Sequence, residues 1–165
     1  MSKDFDEAFD ILIPIEGEET NDPRDPGGRT KYGLSERAHP ELWVNGPPTL
    51  DVARGAYETI YWYPAQCDKL PWPLSYFVFD AAVNQGADTA RRLLQKSLGV
   101  VQDGIIGNNT LMTVKKQWAA DPNEVCSVFL ADRGLRYTGT RNFDVYGRGW
   151  LKRLFKITME VAHGP

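Results

Sequence analysis

The chain has 165 residues, 42% hydrophobic, 12% aromatic and 25% charged, enough apolar material for one sizeable core and too short for several domains. Its formal net charge of -3 argues against generic nucleic-acid binding, which calls for a basic domain. No apolar run approaches the roughly 18 residues needed to span a bilayer, so no membrane insertion is expected.

Two cysteines, Cys67 and Cys126, and two histidines, His39 and His163, are too few and too scattered for a structural zinc site or a disulfide framework. Both thiols are expected to be free and buried, and neither a metal nor a cofactor is expected. The first ten residues are acidic where a secretory signal would be basic and then apolar. The chain is therefore expected to stay in the cytoplasm where it is made, as a monomer.

Asp4 to Ile15 sets Phe5, Phe9, Leu12 and Ile13 on one helical stripe behind a capping-box pair, Asp4 and Glu7. Pro14 weakens the last turn and Gly17 is placed to end it. The stretch GEETNDPRDPGGRTK, from Gly17 to Lys31, has turn residues throughout, which predicts an ordered loop or a short ragged hairpin. Thr49, after a Pro-Pro pair, opens a helix running to Trp62-Tyr63-Pro64. Further helices are predicted from after Pro73 to Gly86, from Asp88 to Gly99, and from Thr110 to Trp118. Asp121-Pro122-Asn123-Glu124 is a strong start signal, an acidic cap followed by proline at the first helical position. The last helix, about Tyr146 to Val161, has Trp150, Leu151, Leu154, Phe155 and Met159 as its apolar side. The class expected is mainly α, with at most one small hairpin near residues 20–35.

Charge is unevenly distributed. Residues 1–30 carry nine acids against three bases, whereas 133–156 carry seven bases (Arg133, Arg136, Arg141, Arg148, Lys152, Arg153, Lys156) against Asp144 alone. That basic stretch reads either as a solvated helix face or as a surface for an anionic polymer.

Chemistry is sought in the loop, where prolines and glycines lower the entropy cost of holding side chains in place. Two carboxylates in different environments are the minimum equipment for glycoside hydrolysis, one protonated and one ionised. Glu16 suits the protonated role, because it closes a helix whose unpaired carbonyls disfavour an anion and has Ile13 and Ile15 beside it. Asp25, between Arg24 and Arg29, suits the ionised role. A solvated acidic loop is the plainer alternative, and calcium binding a weaker one, since Asp22 to Gly28 lacks the alternating ligand spacing of an EF-hand loop.

The run Glu16-Gly17, Asn21-Asp22-Pro23, Asp25-Pro26-Gly27-Gly28, Thr30-Lys31-Tyr32-Gly33-Leu34-Ser35 resembles the signature of the glycoside hydrolase family 108 lysozymes, N-acetylmuramidases of phage-endolysin type. The resemblance implies a lysozyme-like helical fold, Glu16 as catalytic acid, and Asp25 and Thr30 completing a Glu, Asp, Thr arrangement. Glu18 and Glu19 stand where the family has a glycine and an aromatic residue, which makes the local field more negative. Phe79-Asp80-Ala81-Ala82-Val83-Asn84-Gln85-Gly86 is similar to a later helix of the family, implying Tyr32, Asn84 and Gln85 on the saccharide cleft. Leu94-Gln95, Leu98-Gly99-Val100, Asp103-Gly104, Ile106-Gly107 and Thr110 look like the predicted peptidoglycan-binding module that follows, and Phe143, Gly149-Trp150 and Arg153 also match.

The resemblance implies residues 1–86 as the catalytic segment and 87–165 as the peptidoglycan-binding segment, packed into one unit. The expected activity is hydrolysis of the β-1,4 bond between N-acetylmuramic acid and N-acetylglucosamine in bacterial peptidoglycan. The implied setting is a phage endolysin held in the host cytoplasm until release to the wall. A lytic transglycosylase and a wall-binding module without activity are the alternatives.

Overall fold

The computed structural model describes residues 3–16 and 29–163. Among them are α1 (Lys3–Glu16), a hairpin of β1 (Thr30–Lys31) and β2 (Leu34–Ser35), α2 (Leu50–Tyr57), α3 (Leu74–Gln85), α4 (Ala87–Ser97), α5 (Asn108–Ala120), α6 (Pro122–Thr138) and α7 (Phe143–His163). The fold is mainly α with one small hairpin, as the periodicities require. None of the described helices is long and apolar enough to cross a membrane.

The bundle is organised around α3. Every residue from Leu74 to Ala82 is buried, and a helix with no polar face is stable only when neighbours cover it all round. Helices α1, α4 and α6 supply that cover. From α1, the stripe Phe5, Ala8, Phe9 and Leu12 faces inward. Phe5, Trp62 and Phe79 then meet edge to face, with ring centroids 5.4 to 5.9 Å apart, each such pair adding about 0.5–1.5 kcal/mol beyond burial. Arg54 ties α2 to α1 by bonding Asp6 at 2.9 Å and Asp10 at 2.7 Å while lying 4.5 Å from the Phe9 ring centre.

Local signals set the element ends. Thr49 caps α2 through a bond from the Val52 amide to its Oγ1, and Asp121 caps α6 by accepting from the Asn123 and Glu124 amides, with Pro122 at the first position. Helix α2 widens at Glu58–Trp62 into a π-helical turn, a rare geometry concentrated at functional sites. Between α4 and α5 the turn is fixed by the buried Gln95. Its amide donates to Asp103 Oδ1 at 2.6 Å and to the Ile105 carbonyl at 3.0 Å, while its Oε1 accepts from the Gly104 amide at 2.7 Å. The bond from Gln95, then one from the Ile105 amide, lowers the Asp103 carboxyl below the usual range. Gln95 and Asp103 thus serve the fold.

Cys67 and Cys126 are free and buried. Burial pushes both thiols up, Cys126 to about 11, so neither resembles an activated nucleophile.

One expectation fails in α7. Phe155 and Met159 are 70% and 60% exposed, whereas Leu154 and Ile157 are buried with Trp150, Leu151 and Val161 packed against the core. The inward stripe runs through 150, 154, 157 and 161, one helical face, which sends 155 and 159 outward.

Candidate active site

Glu16 is the last residue of α1, and its side chain is 18% exposed. The hairpin beside it pairs Thr30 with Ser35 and Lys31 with Leu34. Its two turn residues, Tyr32 and Gly33, have φ of 51° and 73°, the signature of a two-residue turn whose twist matches its strands. Leu34 is fully buried and anchors the hairpin in the core. Gly33 is required twice over: its φ is positive, and a Cβ there would lie 2.6 Å from the Tyr57 hydroxyl and 3.2 Å from Glu16 Oε2. The turn is thus pressed against the carboxylate, and the Tyr57 hydroxyl holds it there by donating to the Tyr32 carbonyl at 2.8 Å.

Tyr57 and Tyr61, from α2 and its π-helical extension, have ring centres 5.3 Å apart. Burial first, and the Glu16 carboxylate second, push both phenols above the ordinary tyrosine range. Both stay neutral at physiological pH, so Tyr57 remains a donor.

On the other side of Glu16 stands Arg153 of α7. Its Nη2 donates to Glu16 Oε1 at 2.5 Å and to Asp80 Oδ1 at 2.7 Å, and its Nε donates to Asp80 Oδ1 at 3.0 Å. Asp80, on α3, is fully buried, and its Oδ2 lies 2.6 Å from Nη1 of the equally buried Arg133 of α6. Burial opposes the Arg153 cation, but Asp80 and then Glu16 outweigh it, and the guanidinium is held above its ordinary range. Four charges of alternating sign, Arg133, Asp80, Arg153 and Glu16, therefore run from the core to the end of α1.

The other expected site residues distribute as follows. Thr30 opens β1 of the hairpin that packs on Glu16. Tyr32 contributes its carbonyl to Tyr57, and its ring is half-buried against the core with Lys31 Nζ 5.3 Å from its centre. Asn84 is exposed one turn beyond Asp80 and accepts from the Tyr137 hydroxyl at 2.9 Å. Gln85 is half-buried beside it. Asp25 lies outside the described residues, as does the rest of the loop from Gly17 to Gly28.

Sequence reasoning missed Arg133 and Arg153 as parts of this network, having placed both on a basic surface. Arg133 is fully buried and Arg153 is 14% exposed; only Arg136, Arg141, Arg148, Lys152 and Lys156 of that run face water. The signal that points to them is Asp80 itself: one acid inside an otherwise apolar helix requires a buried counter-charge.

Glu16 is thus a partly buried carboxylate held by a guanidinium at the end of a helix, a placement open to one member of the carboxyl pair that glycoside hydrolysis uses. Residues 9–86 match the family described as glycosyl hydrolase 108, and residues 89–155 match the family described as a predicted peptidoglycan domain. Among solved structures, the chain is similar to one titled "Structure of Brucella abortus SagA", with 28% identity over 93% of this chain and 90% of that chain and a TM-score of 0.79. No curated protein matches it. The chain is a glycoside hydrolase that degrades peptidoglycan.

Proposed function

We propose that the chain is a muramidase that hydrolyses the β-1,4 bond between N-acetylmuramic acid and N-acetylglucosamine, with Glu16 as general acid. The observation that carries this is the placement of Glu16: Oε1 is bonded to Arg153, and Oε2 faces the Gly33 turn. In the proposed reaction Glu16 gives its proton to the glycosidic oxygen, the C1–O bond breaks with its electron pair going to that oxygen, and a water oxygen bonds to C1. The proton released by that water passes to the carboxylate of Asp25, and Thr30 helps to hold the water. Tyr32, Asn84 and Gln85 are proposed to contact the glycan strand. The endolysin setting, a monomer kept in the host cytoplasm and released to the wall through a membrane lesion, belongs to the same proposal and is supported by the signature around Glu16.

The test is digestion of purified peptidoglycan followed by reducing-end analysis and mass spectrometry. New reducing ends on N-acetylmuramic acid are expected, whereas anhydro-muramyl products identify a transglycosylase. Glu16→Gln keeps the side-chain shape but cannot donate a proton, and loss of a general acid typically costs 100-fold or more. Retention of more than about a tenth of wild-type turnover by this variant refutes the assignment of the acid.

A further inference from the structure

The two family segments meet at the catalytic carboxylate. Glu16 and Asp80 lie in the glycosyl hydrolase segment, whereas Arg133 and Arg153 lie in the segment described as a predicted peptidoglycan domain. We propose that Arg153 is a positioning residue for the hydrolytic reaction, pinning Glu16 Oε1 so that the transferable proton resides on Oε2, and that the second segment thereby completes the catalytic site. This rests on Glu16 being the acid.

The chemistry follows from the donor inventory. A guanidinium carries donors only, so the carboxyl oxygen it binds is kept as an acceptor and the proton is favoured on the other oxygen. Oε1 is the bound one, at 2.5 Å. Oε2 is the oxygen against which the Gly33 turn packs, on the hairpin that carries Thr30. A carboxyl group free to rotate would present its proton in two directions; one held at Oε1 presents it in one, and misplacement of a reacting group by about 1 Å can cost 100-fold in rate.

Arg153 is itself held in place. Three bonds from its Nε and Nη2 reach Asp80, two of them to Oδ1 at 2.7 and 3.0 Å and one to Oδ2 at 3.3 Å. Asp80 cannot swing away, because Arg133 takes its Oδ2 at 2.6 Å in a fully buried pair. The chain Arg133, Asp80, Arg153 is thus a strut from the core of α6 to the acid. Asp80 also balances the Arg153 charge, so Glu16 meets a compensated pair and not a lone cation. Among the described residues, Arg153 from α7 is bonded to Glu16, Tyr57 and Tyr61 from α2 and its extension feel its charge, and Asp80 from α3 is bonded to Arg153. The phenols stay neutral, and Arg153 is the charged group bonded to the acid.

The experiment is steady-state hydrolysis of soluble glycan strands by the full chain, comparing wild type, Arg153→Gln, Arg153→Lys and Glu16→Gln across pH, with circular dichroism as the folding check. Arg153→Gln is expected to lower kcat about 100-fold with KM nearly unchanged. Arg153→Lys should recover part of kcat, since it restores the charge without the planar fork. A wild-type kcat in Arg153→Gln or a loss confined to KM overturns the proposal. Should Arg153→Gln fail to fold, Arg153→Lys reads the same split: lowered kcat at constant KM supports the positioning role, and an unchanged kcat overturns it. Glu16→Gln separates the two claims. If it is active, the acid is elsewhere; if it is dead while Arg153→Gln is normal, only the positioning role falls.

Discussion

Replacing Asp80 by asparagine keeps the side-chain shape and removes one charge at the centre of the network. Arg133, fully buried, then keeps its cation 2.6 Å from a neutral amide, and Arg153 loses the carboxylate that takes three of its bonds. Breaking a buried pair by removing one partner typically costs 3–5 kcal/mol, roughly what is lost when a buried charge is left uncompensated. Against a typical total stability of about 5–15 kcal/mol, that is a large fraction of what holds the chain folded. With about 2–4 °C of melting temperature per kcal/mol at this chain length, Tm should fall by roughly 6–20 °C. Urea unfolding followed by tryptophan fluorescence at neutral pH, beside thermal melts, measures both numbers. A companion Asp80→Leu/Arg133→Met removes both charges, and because apolar replacement of a buried pair is often close to neutral, it should recover at least half of the loss. A cost below about 1 kcal/mol for Asp80→Asn, within the range of ordinary substitutions, or a double variant no more stable than the single, refutes this account of the core.

Gly33→Ala combines a disfavoured φ of +73° with a Cβ 2.6 Å from the Tyr57 hydroxyl; a loss of about 2–4 kcal/mol is expected from strain and overpacking, readable in the same urea titration, together with lowered lytic activity. Asp121→Ala removes the acceptor of the Asn123 and Glu124 amides at the start of α6, and should cost about 1 kcal/mol without changing kcat. Reversing the charges of Arg148, Lys152 and Lys156, spaced four apart on the outward face of α7, should weaken peptidoglycan pull-down at low salt and have little effect at high salt, since exposed charges are screened beyond about 8 Å at physiological ionic strength. Equal binding of this variant and wild type at low salt removes the electrostatic role of that face.

What a sequence shows best is whatever is periodic or local. The stripe Phe5, Phe9, Leu12 of α1 and the Asp121-Pro122 start of α6 were legible because the signal lies within one or two helical turns. The hairpin was legible as a region, while its register required Leu34 to be buried and Gly33 to sit against Glu16. The signature around Glu16 marked it as a candidate, and its bond to Arg153 was not legible. The bonds that link Arg133 and Arg153 to Asp80 span 53 and 73 residues, and a run of seven basic residues reads as a surface until a fold shows which of them point inward. The outward turn of Phe155 and Met159 was misread for a related reason: a helix with apolar residues on more than one face does not declare which face is covered.

The covered face of α7 also bears on how the two family segments relate. Helix α3 ends at Gly86, with φ of +89°, and α4 begins at Ala87, so the segments meet at a tight joint and not at a flexible linker. Phe79 and Leu12 from the first segment share one core with Leu94, Phe129, Leu154 and Ile157 from the second. Helix α3, apolar on all sides, takes part of its cover from α4 and α6. Detaching the second segment would expose that face to water and leave Asp80 without either arginine. Linked modules elsewhere gain affinity by tethering, with a linker that sets an effective concentration. Here the inner face of α7 carries Arg153 to Glu16 while its outer face carries Arg148, Lys152 and Lys156. Any wall contact made by the outer face is therefore one helix diameter, about 10–12 Å, from the carboxylate that the inner face holds.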